Sequence, residues 1–320
     1  MKDNYAEAYF KTANDENDKG AYDEAIKDYT KTIEIKPDYA EAYNNRGVAK
    51  GKKNDYDGVI QDCAKAIELK PDYALAYYNL WIAKGKKKDY NGAMKDYTKA
   101  IELKLDDTNV YNKRGFIRDN KGVYDEAIKD YTKTIEIKPW YAEAYNNRGA
   151  TKAKKNDYDG AIQDCTKAIE LKPDYAEAYN NRGIAKNKKN DYDEAIKDFT
   201  KAIEIKPDYA LAYYNRGISK YSKSDYDEAI KDFTKAIEIK PDYAEAYNNR
   251  GFVKNNKGDY DEAIKDYTKA IELKPDYYEV YGKRGVAKYN KGDIEGANAD
   301  WENAIKLNPS FEEIFKNDIN

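Results

Sequence analysis

The stretch AEAYNNRGIAKNKKNDYDEAIKDFTKAIEIKPDY, residues 176–209, recurs with small variations along the whole chain. All eight prolines are spaced 34 residues apart or twice that, and Leu105 stands where the one missing proline is expected. The period divides the chain into nine repeats, and residues are numbered from position 1 to position 34 within each. The repeats are residues 6–39, 40–73, 74–107, 108–141, 142–175, 176–209, 210–243, 244–277 and 278–311.

No linker interrupts this period, which predicts a single domain over residues 6–311, followed by a capping helix over residues 312–320. The mean hydropathy is −1.06 and 37% of the residues are charged, a composition that is typical of disorder when apolar residues lack a pattern. Here the apolar residues keep the 34-residue period. We therefore expect a thin, continuous core in an elongated protein.

Each repeat has the pattern of two short helices. In residues 176–209, apolar and small side chains at helical spacing predict helix A over positions 1–14, which ends at Asn190. Asp191 and Glu194 have the spacing of a capping box at the start of helix B, and Pro207 ends that helix. A hairpin of this kind leaves one apolar side bare, which the next repeat covers. The predicted fold class is all-α.

These features resemble the tetratricopeptide repeat family over essentially the whole length of the chain. Position 4 is Tyr in all nine repeats, position 20 is Ala in all but one, position 27 is Ala or Thr, and proline recurs at position 32. The resemblance implies an α-solenoid, a right-handed superhelix of antiparallel helical hairpins. It also implies that the A helices line a concave groove that binds peptides.

Position 7 departs from the family pattern, which commonly has leucine there. It is Arg in seven repeats, while position 23 is Asp in all nine. Because position 7 should face helix B, we predict a partly buried, bidentate ion pair within these hairpins. Its recurrence in repeat after repeat favours a structural role over ligand binding. The predicted pairs include Arg46 with Asp62, Arg148 with Asp164, Arg182 with Asp198, Arg216 with Asp232, and Arg250 with Asp266.

The candidate groove residues are of two kinds. Paired asparagines at positions 5 and 6 can hydrogen-bond an extended peptide backbone, or they are simply solvated. In repeats three and seven, Leu and Tyr at positions 2 and 5 begin apolar stripes that are candidate binding hot spots. Cover by a neighbouring helix, or drift of duplicated repeats, is the alternative. The predicted groove residues are Leu75, Tyr78, Asn79, Ile82, Asn147, Asn180, Asn181, Leu211, Tyr214, Asn215, Ile218, Tyr221, Asn248 and Asn249.

Catalytic and cofactor chemistry find little support in the sequence. There is no histidine to act as a base or a metal ligand, and no Gly-rich phosphate loop. Cys63 and Cys165 both occupy position 24, where they are expected to be small core residues. The 57 basic and 60 acidic residues alternate finely, which disfavours nucleic acid as a partner. No enzyme activity, cofactor or metal is expected.

The sequence therefore predicts a protein-interaction scaffold or adaptor that binds a peptide segment or partner protein. A structural protein that assembles by end-to-end stacking of repeats is the alternative, so self-association stays open. A regulatory arm of a separate enzyme is a third interpretation. With no apolar run long enough for a signal or a membrane span, a cytoplasmic location without membrane contact is expected. The identity of the partner is not encoded in any motif.

Overall fold

The computed structural model describes residues 2–103 and 110–310, which lie in two compact units, residues 1–139 and 140–320. The all-α fold class is confirmed, since the described residues form helical hairpins and include no strand. The single nine-repeat domain stays a prediction. The capping helix predicted over residues 312–320 lies outside the described residues.

In the described part of the first unit there are eight helices: α1 (Lys2–Asp18), α2 (Tyr22–Ile35), α3 (Ala40–Lys52), α4 (Tyr56–Leu69), α5 (Ala74–Lys86), α6 (Tyr90–Glu102), α7 (Val110–Asn120) and α8 (Tyr124–Ile137). In that of the second there are ten: α9 (Ala142–Lys154), α10 (Tyr158–Leu171), α11 (Ala176–Lys188), α12 (Tyr192–Ile205), α13 (Ala210–Ser222), α14 (Tyr226–Ile239), α15 (Ala244–Asn256), α16 (Tyr260–Leu273), α17 (Tyr278–Lys291) and α18 (Ile294–Leu307). Odd-numbered helices are the A helices of the repeats and even-numbered helices are the B helices.

The two kinds of helix form two layers within each unit. The helices of each hairpin pack together, and B helices also pack on the following A helix. Successive A helices meet as well, for example α3 with α5 and α11 with α13, whereas no two B helices in the described part of the same unit come into contact. The A helices are therefore the more closely packed inner layer of each unit.

Close approach of helix A to helix B depends on glycine at position 8. A Cβ built on Gly183 would come within 2.7 Å of the Phe199 ring, and one on Gly217 within 2.9 Å of the Phe233 ring. Both rings are fully buried. Glycine at position 8 and an aromatic ring at position 24 therefore fit together as one packing unit.

In seven of the described hairpins, a partly buried polar contact surrounds the aspartate at position 23. In the sixth repeat, Arg182 donates from Nε and Nη2 to the two carboxylate oxygens of Asp198, at 2.9 and 2.7 Å. Lys186, one helical turn after Arg182, lies 2.8 Å from the same carboxylate. The Nη1 group of Arg182 donates to Thr166 Oγ1, at 3.1 Å, on helix B of the preceding repeat. One guanidinium thus closes a hairpin and joins it to its neighbour.

The same bidentate contact recurs in both units. It joins Arg46 to Asp62, Arg114 to Asp130, Arg148 to Asp164, Arg216 to Asp232, Arg250 to Asp266, and Arg284 to Asp300. The link to the preceding repeat's threonine joins Arg46 to Thr30, Arg216 to Thr200, Arg250 to Thr234, and Arg284 to Thr268.

Repeat three lacks this arginine. Leu80 takes its place and packs in a buried cluster with Val59 and Cys63. The carboxylate of Asp96 is left with Lys84, at 2.6 Å. Burial raises the pKa of Asp96 above its usual value, because the one lysine offsets only part of the cost of desolvation. An apolar contact therefore replaces the polar link between repeats two and three.

The capping box predicted at Asp191 and Glu194 is wrong, because the Asp191 side chain accepts no hydrogen bond from the start of α12. Glu194 instead contacts Lys197. The side-chain cap does form where position 19 is glycine, as in Asp157 with the Gly160 N–H at 3.0 Å. A Cβ on Gly160 would overlap the Asp157 carboxylate. In this geometry the cap and a side chain at position 19 exclude each other.

The turn between helix A and helix B places position 15 in the left-handed region in every repeat. Asn190, for example, has a φ of 63°. Asparagine and glycine tolerate this conformation best, whereas Lys88 and Ser224 adopt it at some energetic cost. The predicted end of helix A at Asn190 thus has a backbone explanation.

We expect Asp198→Ala to destabilise its hairpin by about 3–5 kcal/mol, because Arg182 and Lys186 would be left without a carboxylate in a partly buried site. Asp193→Ala is the matched control, since Asp193 forms an exposed ion pair with Lys223 whose loss should matter far less. Hydrogen exchange in α11 and α12 and urea unfolding measure the difference. Equal losses in the two variants would contradict the structural role of the pair.

Stability should fall at alkaline pH because burial raises the pKa of Tyr29 and Tyr209 to about 12. The unfolded phenol has a pKa of about 10, so the folded state holds the proton more tightly. This contribution to stability is complete below pH ~10 and is lost as the pH rises through about 12. Urea unfolding across this range should show a shallower decline for Tyr209→Phe, and an unchanged decline would contradict the assignment.

Candidate functional site

The inner face of each unit carries a column of apolar side chains at position 9. Eight of the nine described A helices carry such a side chain, the exception being Asn14 of α1, and several are exposed: Ile82 by 37%, Val286 by 41% and Phe116 by 56%. We call the surface formed by positions 6, 9, 12 and 13 of the A helices the A face. Only Ile82 and Ile218 of this column were among the predicted groove residues.

Two equivalent pockets lie in the A face, one in each unit. The first has a volume of about 280 Å³ and the second about 230 Å³. Both are formed by positions 9, 12 and 13 of one repeat with positions 6 and 9 of the next. In the first pocket these residues are Val48, Gly51, Lys52, Asn79 and Ile82. In the second they are Ile184, Asn187, Lys188, Asn215 and Ile218.

The floor of the first pocket is open because glycine stands at position 12 of the second repeat. Gly51 contributes no side chain, and Val59 and Ala83 line the space behind it. In the second pocket Asn187 stands at position 12 and donates to Ser219 Oγ, while Phe199 lines the pocket. Each pocket therefore offers an apolar cavity large enough for one aliphatic side chain.

The position-5 asparagines do not face an open groove, which corrects the prediction for Asn180 and Asn248. These two side chains are 1% and 4% exposed. Asn180 Oδ1 accepts a hydrogen bond from Asn215 Nδ2 at 3.0 Å, and Asn248 Oδ1 accepts one from Lys283 at 3.2 Å. Position 5 is therefore part of the contact between repeats.

The position-6 asparagines are partly exposed, and they donate backwards to the preceding repeat. Asn79 Nδ2 donates to Asn44 at 2.9 Å, and Asn181 Nδ2 donates to Asn146 at 2.9 Å. Asn147 is likewise partly exposed. We call these contacts, together with that of Asn215, the asparagine ladder. It fixes the orientation of the amides that border the A face.

The apolar stripe predicted on α13 is mostly covered. Tyr214 packs against Phe233 and Tyr243, with ring centroids 5.8 and 4.9 Å apart, and its hydroxyl accepts a hydrogen bond from Asn249 at 2.9 Å. Burial raises the pKa of Tyr214 to about 12. The prediction of an open stripe is wrong here, because the next repeat covers this ring.

Tyr221 is covered in the same way. Its ring lies 5.6 Å from that of Tyr226 and 5.5 Å from that of Phe252 on the next A helix. Ile218 packs against the same buried cluster, although its side chain also reaches the second pocket. Leu211 keeps 39% of its surface exposed.

In the first unit, the stripe on α5 is less covered than its counterpart. Leu75 is 42% exposed and Ile82 is 37% exposed. Tyr78 is partly buried and stacks against Trp81, with ring centroids 5.3 Å apart. Of the predicted apolar residues, Leu75, Ile82 and Leu211 are therefore the most exposed, while Ile218 is partly buried and lines the second pocket.

The described residues offer few groups for other chemistry. They contain no cluster of three side chains that could hold a metal ion, and no helix among them is long and apolar enough to cross a bilayer. Cys63 and Cys165 are buried, and burial raises the pKa of both thiols to about 12. Both thiols are therefore protonated at neutral pH. The arrangement is suited to binding through shape and hydrogen bonds.

Three family patterns match the chain. One described as tetratricopeptide repeat matches residues 40–73, 142–175, 176–209, 210–243 and 244–277. A second, described as TPR repeat, matches residues 13–54 and 120–156, and a third, again described as tetratricopeptide repeat, matches residues 74–107. No curated protein sequence matches the chain.

Solved structures of repeat proteins are similar to this one. YrrB, described as a TPR protein with an unusual peptide-binding site, is 25% identical with a TM-score of 0.53, over 57% of this chain and 95% of YrrB. A tetratricopeptide repeat protein from Parabacteroides merdae is 20% identical with a TM-score of 0.63, over 81% of this chain and 98% of its own. MamA is 28% identical with a TM-score of 0.48, over 52% of this chain and 96% of MamA.

Tyr214→Ala should destabilise the second unit by about 3 kcal/mol, because it removes a packed ring and the acceptor of the Asn249 hydrogen bond. Leu211→Ala, three residues earlier on the same helix, should cost less than about 1 kcal/mol because Leu211 is exposed. Hydrogen exchange in α13 to α15 distinguishes the two. Similar small effects would show that Tyr214 is not part of the packing between repeats.

Proposed function

The chain belongs to the tetratricopeptide repeat family, and we propose that it is a non-catalytic scaffold that binds an extended protein segment along its A face. The observation that carries this proposal is the pair of pockets built from the same repeat positions, one in each unit. YrrB, whose description names a peptide-binding site, lends support. We place the scaffold in the cytoplasm as part of the same proposal.

The pockets supply the apolar part of the binding energy. Ile82 and Val48 line the first, and Ile218 and Ile184 line the second. An aliphatic side chain that enters either pocket removes its own surface and that of the two wall residues from water. Burial of one such side chain contributes about 1.5–3 kcal/mol.

The asparagine ladder supplies the polar part. The Nδ2 groups of Asn79, Asn181 and Asn215 are engaged with the preceding repeat, while their Oδ1 atoms receive no hydrogen bond from other described residues. These oxygens can accept hydrogen bonds from the backbone N–H groups of a bound segment. Since the ladder already fixes each amide, little side-chain entropy is lost when the segment binds.

Selection from a displayed library of random peptides, followed by fluorescence anisotropy on the enriched sequences, tests the proposal. We expect Ile82→Gln to weaken binding of peptides held by the first pocket by about tenfold, and Ile218→Gln to do the same for the second. Each variant removes the aliphatic wall of one pocket while glutamine keeps the helix intact.

Leu307→Gln is the matched control. Leu307 is 44% exposed and ends α18, and it lies outside both pockets. Its substitution should leave every affinity unchanged. Peptide binding that is insensitive to both isoleucine substitutions, or equally sensitive to Leu307→Gln, would rule out the A-face pockets as the binding site.

A further inference from the structure

The first pocket carries unbalanced positive charge at its rim. Lys52 and Lys86, both at position 13, lie among the ten residues that line it, and none of the ten is acidic. Both lysines are exposed, and neither forms an ion pair with any residue in the described ranges. This local charge contrasts with the chain as a whole, whose net charge is −3.

The neighbouring lysines of the same two repeats do form ion pairs, so the lysines without one are those at position 13. Lys53 and Lys87, one residue further along, each bind a carboxylate of the preceding repeat, Asp23 and Asp57 respectively. Their charge is thereby offset within the protein. A carboxylate at the pocket rim would therefore find its partners in Lys52 and Lys86.

The second pocket has only half of this arrangement. Lys188 occupies position 13 of the sixth repeat, and Ser222 occupies the same position of the seventh. One cation stands at its rim where the first pocket has two. The two pockets are thus alike in shape and unlike in charge.

Resting on the proposed function, we propose that the first pocket is specific for an acidic linear segment, in which carboxylates flank one aliphatic side chain. The aliphatic side chain enters between Val48 and Ile82, and the carboxylates bind Lys52 and Lys86. Adjacent packed helices lie roughly 10 Å apart, and an extended chain rises about 3.3 Å per residue. Because side chains of an extended chain alternate between two faces, the three side chains that face the pocket are two residues apart, and the carboxylates lie four residues apart with the aliphatic residue midway. The flexible lysine side chains span the difference from the helix spacing.

Fluorescein-labelled peptides measure this specificity on the full chain. The first probe has the core Glu-Ala-Leu-Ala-Glu between Gly-Ser flanks, the second replaces both Glu with Gln, and the third has Glu-Glu-Ala-Leu-Ala, which places the carboxylates on consecutive residues. The first probe should bind roughly tenfold more tightly than the second, since each exposed ion pair contributes about two- to fivefold. It should also bind more tightly than the third.

The lysine variants assign the effect to the rim. In Lys52→Gln/Lys86→Gln, the preference for the acidic probe over the Gln probe should fall to about onefold. Lys53→Gln/Lys87→Gln removes the same charge one residue away and should preserve the preference, and Lys188→Gln should change it little. A preference that survives the first double variant, or that the control variant abolishes equally, overturns the proposal.

Two further outcomes separate this proposal from the proposed function. Binding that depends on Ile82 but is the same for the acidic and Gln probes overturns the acidic specificity alone. Absence of binding by every probe and every selected peptide overturns the scaffold function as well.

A competition experiment tests whether the site is selective for peptides. Displacement of the acidic probe by a single-stranded oligonucleotide at equal charge concentration shows a general polyanion site and overturns the peptide specificity.

Discussion

The contact of one arginine with one aspartate and one threonine sets the geometry of the repeats. The guanidinium of Arg182 occupies both oxygens of Asp198 and reaches Thr166 in the preceding hairpin, while Lys186 covers the same carboxylate. A partly buried charge network is favourable only when each member has its partners, and this one meets that condition. Because the contact recurs, successive A helices are placed alike wherever it forms, as at the junction of repeats six and seven that holds the second pocket.

Repeat three shows what happens when one member of this contact changes. Ala64 stands at position 25 of the second repeat, where other repeats up to the eighth have threonine, and Leu80 stands at position 7 of the third. With no hydroxyl to meet, an arginine there would lose one of its acceptors, and a leucine packs instead. The first pocket lies at this junction, where Asn79, Ile82 and Gly51 shape the A face. The residues that differ between repeats therefore shape this pocket, while the helical hairpins around it keep the common pattern.

The features that repeat were readable from the sequence, and those that depend on the next repeat were not. The hairpins and the partnership of Arg182 with Asp198 follow from position within one repeat. The participation of Lys186 was missed although it lies one turn after Arg182, on the same face of the helix. Positions 5 and 6 differ by about a hundred degrees around a helix, so Asn180 faces the neighbouring repeat while Asn181 borders the A face.

The cover of Tyr214 illustrates the same limit. The sequence of α13 alone predicts that the stripe containing Tyr214 is exposed. In the structure the ring packs against Tyr243 and its hydroxyl accepts a hydrogen bond from Asn249, which lie 29 and 35 residues later. Of the position-9 column, only Ile82 and Ile218 were predicted, for a related reason. Ile82, Phe116 and Val286 form a pattern only when the repeats are aligned, because no two of them lie on one helix.

The asparagine ladder gives each unit a chemical direction. Each position-6 amide in it donates toward the beginning of the chain while its own oxygen accepts no hydrogen bond from another described residue, as with Asn181 toward Asn146 and Asn215 toward Asn180. The hydrogen bonds of the ladder therefore all point the same way along the chain. In the proposed complex, the amides therefore point in one direction relative to a bound segment and in the opposite direction relative to the same segment reversed.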